Sequence, residues 1–225
     1  MQRRTEVWIL GIFGVLIVLG IIAASFFSGT VSPNSNFTST KTATLDQNDW
    51  VRTNNAQAKV TLIEYGDFEC PACAQYESVV EAIMQKYSND VILVFRNYPL
   101  TQIHPVAMIS AQAAGAAGLQ NKFWEMHDLL YKKQSEWSTA SADAVVSKYF
   151  DGYAQSLGLD VKKFDSDINS TVVKAKIQKD IDSGDAARVD HTPTFFINLE
   201  QIPNPGSYAA FDAALSAAVA SSTAK

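Results

Sequence analysis

The two cysteines of this 225-residue chain lie within one tetrapeptide, Cys70-Pro71-Ala72-Cys73. They follow an apolar run, Val60-Thr61-Leu62-Ile63-Glu64-Tyr65, which is typical of a buried strand. Pro71 favours a helix start at this point, because its missing N–H costs nothing in the first turn. Two thiols three residues apart at a helix start can close a small disulfide ring, and the helix end stabilises the first thiolate. The motif therefore predicts a dithiol redox catalyst.

The predicted position of Cys70 sets its chemistry. As the residue that caps a helix N-terminus, it should have a pKa lowered from ~8.5 toward ~3.5 to 7.5. In the oxidised pair, a substrate thiolate would attack the Cys70 sulfur and form a mixed disulfide, which a second substrate thiol resolves. The substrate would leave with a disulfide.

Other interpretations of the motif are weaker. A static CxxC disulfide closes too small a loop to stabilise a fold much, and a zinc site would need two further ligands from only three histidines. Attachment of c-type haem is excluded, because Ala74 stands where a histidine must follow. Binding of a soft metal such as Cu(I) by the two thiols is an open alternative. Our prediction is an enzyme that needs no metal and no cofactor.

Residues 7–27 form a charge-free apolar segment of 21 residues, about the length that crosses a bilayer. Arg3 and Arg4 precede it, whereas the next basic residue is Lys41, so the positive-inside rule predicts that residues 1–6 are cytoplasmic. The remaining chain would then be extracytoplasmic. A cleaved signal peptide is the alternative, but the apolar run is long for a signal core, which favours a single-pass signal anchor.

Composition divides the rest of the chain. Residues 28–48 are rich in Ser, Thr and Asn and show no periodicity, which predicts a flexible linker. Residues 49–225 would form one domain. The chain carries 18 Lys and Arg against 23 Asp and Glu, and this net charge of −5 argues against nucleic acid as a partner.

The order of apolar patterns predicts an α/β fold with a mixed sheet. A strand over Lys59–Gly66, a helix that reaches Tyr87 and a strand over Val91–Phe95 make a βαβ unit. Helical patterns then dominate, and a strand returns after Thr192-Pro193. The helical patterns cover Pro105–Gly118, Asn121–Lys133, Ala142–Phe150, Val161–Asp182 and Ser207–Ala220, and a hairpin is expected around Gln201–Pro205.

Three separated motifs resemble the DsbA-like thiol-disulfide oxidoreductases, in particular their membrane-tethered bacterial branch. They are the CxxC with its preceding Phe68-Glu69, the stretch Phe95-Arg96-Asn97-Tyr98-Pro99-Leu100 with His104-Pro105, and Thr192-Pro193-Thr194-Phe195-Phe196-Ile197-Asn198. The resemblance implies a thioredoxin-like fold whose second strand and cis-proline strand are separated by a helical insertion, about residues 103–185 here.

The same resemblance implies roles for individual residues. Cys70 would be the nucleophile, Cys73 the resolving thiol, Thr192-Pro193 the substrate-binding cis-proline loop, and Glu64 a buried acid that exchanges protons with Cys73. The dipeptide Pro71-Ala72 departs from the Pro-His of the strongest oxidants, which predicts a weaker oxidant.

The sequence thus predicts an extracytoplasmic, membrane-tethered oxidoreductase that oxidises the paired thiols of exported proteins. A membrane quinone-linked partner would reoxidise it. A reductase or isomerase on the same fold is the alternative, since the direction of electron flow depends on the redox potential.

Overall fold

The computed structural model describes residues 45–53, 55 and 58–223. Five strands of these residues form one mixed sheet in the order β1-β3-β2-β4-β5. Strand β2 pairs with β3 in parallel, and the other neighbouring pairs are antiparallel. The strands are β1 (Trp50–Arg52), β2 (Val60–Gly66), β3 (Val91–Asn97), β4 (Thr194–Ile197) and β5 (Glu200–Ile202). This arrangement is the α/β fold with a mixed sheet that the sequence predicts.

Helices connect and cover these strands. Among the described residues, the first helix is α1 (Pro71–Lys86), which links β2 to β3, and the last is α9 (Tyr208–Thr223), which follows β5. The other helices of these residues lie in the chain between β3 and β4. These helices are α2 (Ala107–Gly118), α3 (Phe123–Lys132), α4 (Gln134–Trp137), α5 (Ala142–Val145), a π-helical turn (Val146–Phe150), α6 (Asp151–Ser156), α7 (Val161–Ile168) and α8 (Thr171–Ala186).

The centre of the sheet is buried on both faces, which explains the wholly apolar pattern of its parallel strands. All seven residues of β2 are buried. On one face, α1 and α9 pack against the sheet through a cluster that includes Leu62, Ile83, Phe195 and Phe211. Because α1 packs on this face, the turn that leads from β2 into α1 places the CxxC motif just beyond the end of β2.

The helical region has its own core around the alanine-rich helix α2. Residues 110–117 of α2 are all buried, and the small side chains of all but Gln112 let neighbouring helices approach closely. A Cβ atom on Gly115 would lie 2.8 Å from a methyl carbon of Val173 in α8. Aromatic residues complete this core, with Trp137 and Phe150 in edge-to-face contact.

Three local predictions differ from the structure. Strand β1 was not expected, because three residues are too few to show a periodicity. The helical pattern over Val161–Asp182 is two helices, since Ser170 caps a new helix by accepting a hydrogen bond from the N–H of Val173. The hairpin turns at Asn198-Leu199 rather than around Gln201–Pro205, and both turn residues have positive φ.

The predicted membrane-spanning segment, residues 7–27, lies outside the described residues, as does most of the predicted linker. Across residues 45–53, 55 and 58–223, the helices lack the combination of length and apolarity that a bilayer span requires.

Candidate active site around Cys70

Cys70 caps the N-terminus of α1, as the sequence predicts. Its backbone is extended, with φ −68° and ψ 119°, and Pro71 occupies the first turn of the helix. The side chains of Pro71 and Ala72 are exposed, whereas Cys70 is 6% exposed. The Cys70 sulfur therefore lies just below the protein surface at the positive end of a 16-residue helix.

The Thr192-Pro193 peptide bond is cis, which confirms the conformation predicted for this loop. The Cys70 Sγ lies 3.4 Å from the carbonyl oxygen of Thr192, to which Cys70 can donate a hydrogen bond only in its protonated form. A hydrogen bond from the Asn204 side chain to the carbonyl oxygen of Pro193, at 2.5 Å, also holds this loop. Two segments more than 120 residues apart in sequence are thus brought together.

The Cys70 thiol has a pKa lowered from 9.0 to about 5. The largest cause is a hydrogen bond from the Cys73 thiol, and the side chain of Thr192 and the N–H groups of Ala72 and Cys73 add to it. Burial acts in the opposite direction, because it penalises the charged form. Cys70 is consequently a thiolate at neutral pH.

Cys73 shows the opposite behaviour. Its side chain is fully buried on the first turn of α1. Burial raises its pKa well above 9.0, and its hydrogen bond to Cys70 and the charge of Glu64 act in the same direction. Cys73 therefore remains a neutral thiol that donates to the Cys70 thiolate. Both cysteines are free thiols.

Glu64 is 1% exposed on the central strand β2, so its carboxyl group is buried, as the resemblance implied. Burial raises its pKa well above 4.5, and the negative charges of Glu77 and Cys70 raise it further. Because the charge of Glu64 raises the pKa of Cys73, the predicted acid and the resolving thiol share one buried environment. The catalytic role of Glu64 stays a prediction.

Two acidic side chains next to Cys70 fix the turn between β2 and α1. The Asp67 carboxylate accepts the backbone N–H groups of Glu69 and Leu100, and it lies 2.7 Å from Nδ1 of His104. The Glu69 carboxylate accepts the N–H of Val106, at the start of α2, at 2.6 Å. The catalytic turn is therefore bonded to the loop that enters the helical region.

Gln134 adds a second bond between the helical region and the motif. Its side-chain amide donates to the carbonyl oxygens of Phe68 and Cys70, at 2.8 and 2.9 Å. Sequence analysis missed Asp67 and Gln134, because a lone amide in a helical pattern gives no sign of a partner 64 residues away. The two acidic residues that flank Phe68 were the sequence signal that could have identified Asp67.

A second group of titratable residues lies near α1 and was also missed. Glu77, His127 and Asp128 offer ligand atoms that all lie within 4.8 Å of one another, the spacing of a cation site. Asp128, however, is paired with the guanidinium of Arg52 at 2.5 Å, so a cation here would face an existing positive charge. This cluster suits a proton or an ion pair better than a metal ion.

A comparison with protein-family models shows which family the chain belongs to. The model of the family described as Thioredoxin matches residues 40–217, which is most of the sequence. The chain belongs to the thioredoxin family. The match contains the sheet, the CxxC motif, the cis-proline loop and the helical region of this thioredoxin-family protein.

This thioredoxin-family protein matches only part of the sequence of each relative described below. It is 43% identical over 165 residues to the Na(+)/H(+) antiporter NhaA 1 of Salinispora arenicola, a match that covers 73% of the chain and 23% of the relative. It is 35% identical over 164 residues to the NhaA 1 antiporter of Mycolicibacterium gilvum, covering 71% and 25%. The chain thus spans about a quarter of the length of these relatives.

Solved structures share the fold. The structure of a thioredoxin-like oxidoreductase from Silicibacter pomeroyi is 24% identical, with a TM-score of 0.64, and covers 80% of this chain and 95% of its own. Oxidised BdbD from Bacillus subtilis is 20% identical with a TM-score of 0.70, covering 81% and 98%. Wolbachia pipientis alpha-DsbA1 is 17% identical with a TM-score of 0.70, covering 80% and 95%. The thioredoxin-family protein therefore has the fold of DsbA-type proteins.

Proposed function

We propose that this protein is a thiol-disulfide oxidoreductase that oxidises paired thiols through a redox-active Cys70-Cys73 disulfide. The observation that carries the proposal is the position of the Cys70 sulfur, at the N-terminus of α1 and 3.4 Å from the carbonyl of Thr192 beside cis-Pro193. A thiolate stabilised at this position is a good leaving group, and stabilising it makes the disulfide easier to reduce. A disulfide that is readily reduced is an oxidant.

The reaction transfers two electrons from the substrate to the protein. A substrate thiolate attacks the Cys70 sulfur, the bond between Cys70 and Cys73 breaks, and the Cys73 sulfur leaves with the electron pair and takes up a proton. A second substrate thiolate then attacks the substrate sulfur of the mixed disulfide. The substrate disulfide forms, and Cys70 leaves as the thiolate that its low pKa favours.

The raised pKa of Glu64 suits it to supply the proton of the first step. Burial favours the protonated form of Glu64, and the Cys73 sulfur that leaves the disulfide needs a proton. Glu64 as the acid and Cys73 as the acceptor thus explain why a buried carboxyl group lies on the central strand under the motif.

The cis-proline loop is proposed to bind the substrate. Thr192 lies beside Cys70, two residues before β4 begins, so an extended substrate segment can pair with the backbone there without recognition of particular side chains. This mode of binding suits an enzyme that oxidises many unfolded proteins.

We further propose that the domain acts outside the cytoplasm, attached through residues 7–27, and that it oxidises exported proteins. The support is the charge-free apolar segment behind Arg3 and Arg4. A membrane quinone-linked protein would reoxidise the dithiol, since every turnover leaves Cys70 and Cys73 reduced. Proteolysis of intact cells, with detection of the domain by antibody, tests this topology; protection of the domain would contradict it.

The decisive experiment is disulfide formation in a reduced, unfolded protein by the oxidised enzyme. We expect stoichiometric transfer by the wild type and none by Cys70→Ser. A redox potential near that of cytosolic thioredoxins, about −270 mV, would favour the reductase alternative, and one near −120 mV a strong oxidase. Because Ala72 replaces the histidine of the strongest oxidants, we expect an intermediate value.

A further inference from the structure

The carbonyl groups of the cis-proline loop have different partners. The carbonyl of Thr192 points to the active site, since its oxygen lies 3.4 Å from the Cys70 sulfur. The carbonyl of the next residue, Pro193, accepts a hydrogen bond from the side-chain amide of Asn204 at 2.5 Å. Asn204 is half-buried and belongs to the segment between β5 and α9, outside both segments that carry the reactive groups. A residue remote from the motif therefore holds the peptide unit that follows the Thr192 carbonyl.

Side chains fix this loop because it precedes the paired part of the sheet. Strand β4 begins only at Thr194. Pro193 also lacks an N–H group, so it has no backbone donor that could bond to a neighbouring strand. On the other side of the loop, the hydroxyl of Thr194 donates to the carbonyl oxygen of His191 at 2.7 Å. The Thr192 carbonyl thus lies between two carbonyls whose directions are fixed by the side chains of Thr194 and Asn204.

The segment that carries Asn204 is itself bonded to α1. The hydroxyl of Tyr76, on α1, donates to the carbonyl oxygen of Pro205 at 2.9 Å. Pro205 is buried, and the ring of Tyr76 packs against Phe195 of β4 with 5.5 Å between the ring centroids. The CxxC motif opens the same helix. Asn204 and Pro205 therefore connect the helix that begins at the motif with the cis-proline loop.

The geometry of disulfide exchange gives this connection a function. The attacking sulfur must approach the Cys70 sulfur in the direction of the bond to Cys73, so its position has to be accurate. In the proposed binding mode the substrate backbone pairs with Thr192, and the direction of the Thr192 peptide group then sets where the substrate sulfur lies. A misplacement of about 1 Å can cost on the order of 10²-fold in rate. A residue that fixes this peptide group therefore affects catalysis without touching the reacting atoms.

We propose that Asn204 is a positioning residue that aligns the backbone of the substrate with the Cys70 sulfur. Tyr76 supports it from α1 through Pro205. The inference rests on the proposed oxidoreductase function. The substrate thiolate attacks Cys70, the bond between Cys70 and Cys73 breaks, and the Cys73 sulfur leaves with the electron pair and takes up a proton. Asn204 exchanges no proton and no electron, so its effect is confined to substrates that have a backbone to pair.

The test compares two reductants of the oxidised protein, a peptide with one cysteine between alanines and dithiothreitol, which has no backbone. Acid quench, alkylation of the free thiols and mass spectrometry give the rate constant for opening of the disulfide. We expect Asn204→Ala to lower the rate constant with the peptide about tenfold and that with dithiothreitol by less than about twofold. Tyr76→Phe keeps the ring against Phe195 and should change the ratio of the two rate constants in the same direction by a smaller factor.

A methylated peptide makes the test sharper. With methyl groups on the backbone nitrogens of its cysteine and of the next residue, the peptide loses the N–H donors that pairing needs. Asn204→Ala should therefore slow this peptide far less than the unmodified one. The Cys70 thiolate should titrate as in the wild type, since the main influences on its pKa do not come from Asn204. Asn169→Ala, at an exposed asparagine of the helical region, is the matched control and should behave like the wild type.

The two proposals fail in different ways. A wild-type protein that, like Cys70→Ser, forms no disulfide in a reduced unfolded protein would refute the oxidoreductase function and the positioning role together. If the wild type is active, equal losses with the peptide and with dithiothreitol in Asn204→Ala would assign Asn204 a structural role. No loss with either reductant, or an equal loss with the methylated and the unmodified peptide, would also refute the positioning role alone.

Discussion

The two ends of the CxxC motif provide opposite environments for the same thiol group. Cys70 lies at the tip of α1, where N–H groups and the Cys73 thiol lower its pKa to about 5. Cys73 lies three residues further into the helix, where burial raises its pKa well above 9.0. One turn of helix thus separates an anionic sulfur from a neutral one. The protein creates this difference by position rather than by a different kind of residue.

The difference also divides the two tasks of disulfide exchange. The tip of α1 is where a substrate sulfur can reach Cys70, and it is lined by the cis-proline loop. On the buried side of the motif, the proposed role of Glu64 is to exchange the proton of Cys73 away from bulk water. Substitutions at the tip of α1 and substitutions in the buried environment of Cys73 should therefore have distinct effects.

Loss of either sulfur should have the largest effect. We expect Cys70→Ser to reduce disulfide transfer to background, because no sulfur remains for the substrate to attack. Cys73→Ser should instead trap a mixed disulfide on Cys70, which gel electrophoresis without reductant detects. Equal trapping on Cys73 in the Cys70→Ser variant would show that the two thiols are equivalent and would break the comparison.

Removal of the buried acid should have the next largest effect. Glu64→Gln keeps the shape but cannot donate a proton, so we expect opening of the disulfide to slow by about 10²-fold at neutral pH. The Cys70 thiolate should remain, since the negative charge of Glu64 does not help to form it. Stopped-flow reduction and thiolate absorbance measure the two properties. An unchanged rate would remove Glu64 from the mechanism.

The acidity of Cys70 should appear in the stability of the reduced protein. A thiol whose pKa is lower in the folded than in the unfolded state stabilises the fold fully above the unfolded value, and this contribution is lost as pH falls through the folded value. We therefore expect the reduced protein to lose stability relative to the oxidised one between pH 9 and pH 5. Urea unfolding of both forms at pH 5, 7 and 9 measures this. A constant difference would contradict the lowered pKa.

A smaller effect is expected from crowding of the buried residues around Gly66. A Cβ atom on Gly66, at the end of β2, would lie 2.5 Å from the ring of Phe95 and 2.9 Å from the hydroxyl of Tyr131. We expect Gly66→Ala to reduce the free energy of unfolding by about 1 to 3 kcal/mol. Gly206→Ala, where nothing lies within 4 Å, should change it by less than about 0.5 kcal/mol. Equal stabilities of Gly66→Ala and Gly206→Ala would show that the side chains around Gly66 can move to make room for the methyl group.

Sequence alone identified the parts of the site that depend on local signals. The strand before Cys70, the proline after it and the Thr192-Pro193 strand start are each readable within a few residues. The structure brings these segments together as the resemblance implied. The helical pattern over Pro105–Gly118 likewise predicted α2, whose observed bounds differ only by two residues at its start.

Sequence could not identify the contacts between distant side chains. Gln134 and His127 belong to ordinary amphipathic patterns, and nothing near them in the chain indicates the Cys70 carbonyl or the Glu77 carboxylate. Strand β1 is visible only through its pairing with β3. Such features follow from the tertiary arrangement, which the local patterns of a single sequence do not encode.

The bonds made by Glu69 and Gln134 have a consequence for the modularity of the domain. They tie the catalytic turn to α2 and α4, so the helical region supplies hydrogen-bond partners that the sheet does not. Excision of residues 100–186 to obtain a minimal redox domain would leave the carboxylate of Glu69 and the carbonyl of Phe68 without these donors. The insertion is therefore part of the reactive unit, and an engineered shorter enzyme would need substitutes for both contacts.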